Sequence, residues 1–145
     1  MMKKLSIFLF ALIISLTVIG CQATANWEES DIFLVNDRQM IGEEGRFAIL
    51  YDVLNLYPDA GNKCMWYLWG DETELQGTVK VTATHEKDDE SITLIHSHSN
   101  SLSPHFTADD HMVSELTLPK SGMWKLDAFI DDELFESIFL KIHEK

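Results

Sequence analysis

Between Gly122 and Ile142 the chain reads GMWKLDAFIDDELFESIFLKI, and its large apolar residues recur at every second position. Trp124, Leu126, Ala128 and Ile130 share one parity, and Leu134, Ile138, Leu140 and Ile142 share the same one. Successive side chains of a strand point to opposite faces, so each run presents one apolar face to a core. Two such runs around a short acidic break read as an antiparallel hairpin. If both faces turn the same way, paired positions must sum to an even number. A two-residue loop gives an odd sum, so a three-residue turn is expected, with Asp131 to Glu133 at its tip. Glu136 is the one misfit on the inward face, and a place at the rim of the sheet would suit it.

The same period recurs upstream. In TVKVTATH, Val79, Val81, Ala83 and His85 oppose Thr78, Lys80, Thr82 and Thr84. RFAILY groups Phe47, Ile49 and Tyr51. CMWYLW is apolar on both faces, Cys64, Trp66 and Leu68 against Met65, Tyr67 and Trp69, as in a central strand covered on two sides. Turn-forming stretches such as YPDAGNK, HEKDDES and LPKSG separate these runs. No stretch sustains a helical apolar period with caps. Short strands at frequent turn signals predict an all-β fold, an antiparallel sandwich.

The first twenty residues have a different character. MMKK is a short basic region, and LSIFLFALIISLTVI is apolar and of signal-peptide length, below the 18 or more residues of a spanning helix. VIGC then sets small residues directly before Cys21, a pattern that resembles the lipobox of bacterial lipoproteins. The expected organisation is a signal peptide at 1–20, a lipidated tether at 21–30 and one domain at 31–145. Acyl chains on Cys21, palmitate among them, would fix the chain to the cell membrane on its extracytoplasmic side. Loss of residues 1–20 removes Lys3 and Lys4 and no acid, taking the formal charge from −13 to −15. Such a surface repels phosphate backbones, so nucleic acid is not an expected partner. With Cys21 acylated, Cys64 has no partner for a disulfide and reads as a small buried hydrophobe.

Three pieces carry a resemblance: MIGEEGRFAIL, KCMWYLWGDETELQGTVKV, and ADDHMVSELTLPKSGMWKLDAFIDDELFESIFLKI. With their spacing they cover most of residues 40–142, and MWYLWG and the LPxxGxW turn are the most distinctive parts. The chain resembles small secreted lipoproteins of Bacillus and related bacteria that carry a single immunoglobulin-like domain. The resemblance implies a membrane-anchored immunoglobulin-like β-sandwich and brings no catalytic residues with it. Glu136 stands where that family more often has glycine, and the acids of IDDE replace a more common Asp-Gly turn.

The chemical lead is ITLIHSHSNSLSPHF followed by ADDH. On an unbroken strand Ile92, Leu94, His96 and His98 would share a face, and two imidazoles so placed can reach one zinc or copper ion. His111 is the candidate third ligand, with His105, Asp109 and Asp110 close by in sequence. The competing reading is a strand that runs into a polar loop, with His111 bracing that loop. Trp66, Tyr67, Trp69 and Trp124 could form a stacking surface, but alternating aromatics more often fill a sandwich core. Trp27 would rest on the membrane interface or on the domain. The acid runs lack the calcium-loop pattern. No nucleophile elbow, phosphate loop or zinc-protease helix is present, so catalysis is not expected, nor is a cofactor. The leading expectation is a surface module that binds a protein, peptide or envelope component. Zinc or copper binding through His96 and His98 is the alternative, and protease inhibition by a presented loop is a third.

Overall fold

The computed structural model describes residues 26–145 apart from 89, 100 and 101. The expected signal peptide and the expected acylation site at Cys21 lie outside the described residues. Among the described residues nine strands follow one another: β1 (Ile32–Val35), β2 (Arg38–Glu43), β3 (Phe47–Leu50), β4 (Asn62–Leu68), β5 (Thr78–His85), β6 (Ser91–Ser99), β7 (Asp110–Leu116), β8 (Gly122–Ile130) and β9 (Glu133–Ile142). One four-residue helix, α1 (Glu72–Leu75), sits between β4 and β5. The strands form two antiparallel sheets, β1-β2-β3-β4-β7 and β6-β5-β8-β9. This is an all-β sandwich.

The inner faces hold the core that the alternation predicts. Ile41, Phe47, Ile49, Cys64, Trp66 and Leu68 of the first sheet meet Val79, Val81, Ala83, Leu126, Ile138 and Leu140 of the second. Phe47 and Trp66 stack at 6.0 Å between ring centres, and the indole N–H of Trp66 donates to Ser114 Oγ at 2.8 Å. His85 keeps its inward place because its Nε2 is 2.8 Å from the Ser121 carbonyl and its ring packs edge-on to Trp124. Burial pushes the Cys64 thiol far up, which leaves it un-ionised and unreactive.

The β8–β9 hairpin corrects the turn expected above. Ile130 pairs with Glu133, so the loop has two residues, Asp131 and Asp132, at φ 49° and 65°. Two left-handed residues in a row form the mirror-image turn whose twist matches the strands. The parity rule survives because β9 carries a bulge: Phe129 faces Leu134, but Ala128 faces Glu136. The extra residue, Phe135, is buried in place of Leu134, which is 58 % exposed. Beyond the bulge Trp124 faces Leu140 and Leu126 faces Ile138, as the alternation requires. Glu136 is half-buried beside Ala128 on the edge strand.

The segment before β1 is joined to the second sheet. Ser30 donates its N–H to the Phe139 carbonyl at 3.0 Å, and Phe139 N–H donates to Ser30 Oγ at 2.8 Å. Lys141 N–H donates to Glu29 Oε1 at 3.2 Å, and the Trp27 ring meets Phe139 edge-on at 5.5 Å. Trp27 therefore rests on the domain. Residues 29 and 30 thus bond to β9 on the side that β8 leaves open.

Candidate functional site

β6 does not deliver the shared face that His96 and His98 need. Val79 faces His98, but Val81 faces Ile95 and Thr82 faces Thr93, so β6 slips twice against β5. Each slip inserts one residue and reverses the facing of every residue beyond it. His98 falls opposite core-facing Val79 and is half-buried. His96 is exposed and lines a cleft with Thr78, Lys80, Asp131 and Asp132 on the other side of the sheet. His111 belongs to the first sheet, on β7. Among the described residues no three or more His, Cys, Asp or Glu side chains gather as a metal site would.

The structure instead brings His105 and His111 together on the outer face of the five-stranded sheet, around Tyr67. Tyr67 is on β4 with its side chain turned away from the core, and it is fully buried. The His105 ring lies over it at 5.7 Å and 18°, the His111 ring at 6.4 Å and 22°, and the two imidazoles are 4.9 Å apart. Phe106 and Trp69 close on the same phenol at 5.8 and 6.3 Å. Phe33, from β1, reaches Trp69 at 6.5 Å. Val35, Met40, Ala48, Leu50 and Ala108 form the floor of this second apolar cluster.

Local chain geometry explains how His105 and Phe106 arrive there. His105 and Ala108 exchange both backbone hydrogen bonds, at 3.2 and 3.0 Å, around a tight turn with Phe106 at φ 52°. The left-handed region is uncommon for a bulky residue, and packing against Tyr67 offsets the strain. His111 Nδ1 is 2.6 Å from the Ser103 carbonyl, which can only accept, so the ring donates there. His111 braces the loop from within a strand. His105 Nδ1 is 3.2 Å from the Tyr67 hydroxyl. The acids of ADDH are committed to the same loops: Asp109 Oδ2 accepts from Gly70 N–H at 2.9 Å and Asp110 Oδ1 from Ser103 N–H at 2.7 Å.

Burial pushes the Tyr67 phenol up to about 12, partly opposed by the positive charge of Arg38. Arg38 itself is held by Asp52 through paired hydrogen bonds at 2.8 and 2.7 Å, which keep the Asp52 carboxyl below its usual range. A separate cleft of about 380 Å³ lies near the β8–β9 turn, where Arg46 pairs with Glu74 and lies 3.8 Å from the centre of the Phe135 ring.

Of the aromatics that the sequence offers as a stacking surface, Trp66 and Trp124 are core, whereas Tyr67 and Trp69 belong to the outer cluster. Phe33, Met65 and Phe106 are not among those candidates. The two-faced apolarity of CMWYLW is the available signal, because a strand apolar on both sides needs a second cover.

This fold matches the crystal structure of a candidate lipoprotein from Bacillus anthracis with a TM-score of 0.64. The match spans 82 % of this chain and 88 % of that one at 18 % identity. Among curated proteins no sequence match is found. The family model of a domain of unknown function, DUF4871, matches residues 19–140.

Proposed function

The chain belongs to the DUF4871 family, and on that footing we propose a lipid-anchored, extracytoplasmic, non-catalytic binding module. Its partner is a protein, peptide or envelope component, and its contact surface is the outer face of the five-stranded sheet. The second aromatic cluster carries this reading. A sandwich folds on its inner faces alone, and an outer face normally alternates to polar side chains. Here Phe33, Met65, Trp69 and Phe106 are only partly buried, beside half-buried His105 and His111. Aromatic rings with hydrogen-bonding edges, poor in charge at their centre, are what recognition surfaces are made of. Exposed Val113 and Thr107 extend the patch.

The anchor has separate support. The family match begins at residue 19, so it includes Cys21 and the residues that directly precede it. The structurally similar Bacillus chain is itself described as a candidate lipoprotein. Strand order supports an immunoglobulin-like description of the last seven strands. With β3 to β9 taken as successive strands, the first, second and fifth share one sheet and the third, sixth and seventh the other. That is the immunoglobulin partition, with the fourth strand moved to the second sheet.

A photo-reactive residue at Val113 or Thr107, in the cells that make the protein, tests the contact surface. Discrete adducts from these positions, lost in a Trp69→Ala background that still folds, are the expected result. Adducts from Thr93, on the other sheet, with none from Val113 or Thr107 would refute it. Cys21→Ala should abolish the acyl mass and release the protein from the membrane fraction. Retention of the acyl group would refute the anchor.

A further inference from the structure

We infer that the domain stands upright on the bilayer, seated on one particular end of the sandwich. That end is built by residues 51–61, 86–88, 117–121 and the C-terminus, with Val53 and Tyr57 as lipid contacts. The inference rests on the anchor proposed above and adds which surface meets the membrane.

The path of the tether comes first. Ser30 is opposite Phe139 and Glu29 reaches Lys141, so the chain, followed backwards, climbs β9 towards its C-terminal end. The same end holds the 51–61 loop, tied to it by the His143 N–H to Leu56 carbonyl bond at 2.8 Å. It also holds the β7–β8 loop, through the Asp59 N–H to Leu118 carbonyl bond at 2.9 Å. From Glu29, beside Lys141, to Cys21 is eight residue steps, at most about 29 Å fully extended. β9 is ten residues long, or about 33 Å at strand rise. That span reaches the near end with slack, whereas the far end, eight strand residues from Lys141 or about 26 Å, takes nearly all of it.

Surface chemistry agrees with that path. Val53 and Tyr57 are 50 % and 45 % exposed at the near end, with Ile92 beside the neighbouring loop. A tyrosine with a greasy neighbour suits the headgroup boundary, where one edge of the ring stays wet. Charge is divided between the ends. Apart from Arg46 and Lys80, every lysine and arginine of the described chain lies on the near half, exposed Lys63 and Lys145 among them. That half also carries Asp37, Asp59, Glu86, Glu90, Glu115 and Glu144, and its Asp52 and Asp88 are paired with Arg38 and Lys120, so its charges come close to balance. The far end instead carries Glu43, Glu44, Asp71, Glu72, Asp131 and Asp132 in its turns. An anionic bilayer repels that acidic end most strongly within a Debye length, about 8 Å at physiological salt. Tether length, apolar contacts and charge all select one orientation. It lifts Tyr67, Trp69 and Phe106, which lie towards the far end, clear of the lipid.

The test uses the full chain, expressed and processed in cells, extracted from membranes, isotope-labelled and placed in anionic nanodiscs containing a gadolinium-chelating lipid. The expected result is loss of amide signals at 53–57, 118, 120 and 144, with those at 71–74 and 131–134 retained. The Val53→Glu/Tyr57→Glu variant should even out the loss between the two ends. Equal loss at both ends of the unaltered protein, or greater loss around Leu134, overturns the orientation while leaving the anchor intact. Intact mass of the same preparation separates the two readings: a chain without acyl groups ends the anchor proposal and the orientation with it.

Discussion

Replacing Tyr67 by phenylalanine removes one hydroxyl from the middle of the outer cluster and leaves every ring contact in place. At neutral pH the loss is small. The hydroxyl lies 3.2 Å from His105 Nδ1 and 3.7 Å from the Met65 sulfur, and a net protein hydrogen bond contributes about 0.5–1.5 kcal/mol. Alkali changes the balance. Burial raises the phenol to about 12 in the folded chain, whereas an unfolded tyrosine ionises near ~10. The folded state therefore holds the proton more tightly. The resulting stability is complete below pH ~10 and falls as pH rises from there to about 12. Near pH 11 the wild-type chain should have lost about 1.4 kcal/mol through this group, and at most about 2.7 kcal/mol beyond pH 12. The phenylalanine variant has no such group, so its denaturation curve starts lower at pH 7 and meets the wild-type curve near pH 11. Cys64, also pushed up by burial, contributes alike in both chains and cancels in the difference. Urea denaturation at half-unit steps from pH 7 to 11.5 measures that difference. A gap that stays constant with pH would show that the phenol ionises as it does in water, and the account of Tyr67 as a buried, desolvated group would be wrong.

Other consequences are simpler to check. Gly42→Ala should cost about 2–4 kcal/mol by chemical denaturation, because at φ 148° its Cβ would sit 2.3 Å from the Phe47 carbonyl oxygen and 2.7 Å from Ala48 Cα, backbone atoms with nowhere to go. Ser114→Ala should cost about 1–3 kcal/mol by stranding the indole N–H of Trp66, and Ser114→Thr, which keeps an acceptor, should cost less. Zinc or copper titration followed by thermal melting should give the same response in the wild-type chain and in His96→Ala/His98→Ala, since the two imidazoles occupy opposite faces; a shift lost in the double variant would show that they do share an ion.

Parity carries most of the core assignment. Val79, Val81, Ala83, Trp124, Leu126, Ile138 and Leu140 all face inward because burial on one side of a strand leaves no other register. The bulges escape it. A bulge adds one residue without any change in composition, so neither the slip at Phe135 nor the two in β6 leaves a mark in the pattern of apolar residues. That is why the period places Leu134 inside while the fold exposes it, and why it groups His96 with His98 while the fold parts them. The outer cluster is half legible. Met65, Tyr67 and Trp69 advertise a second covered face, but the cover comes from Phe33 and the 103–108 turn, contacts between residues far apart in sequence that no local period encodes.

The bonds from residues 29 and 30 to β9 have a further consequence. An edge strand left bare is a template for another chain, and β9 is the longest strand here. By bonding to it at Phe139 and Lys141, the segment that leads back towards Cys21 also acts as a guard rail. A protein shortened to begin at residue 31 would lose Cys21 and that shield in one cut, and should self-associate through β9 more than the longer chain does.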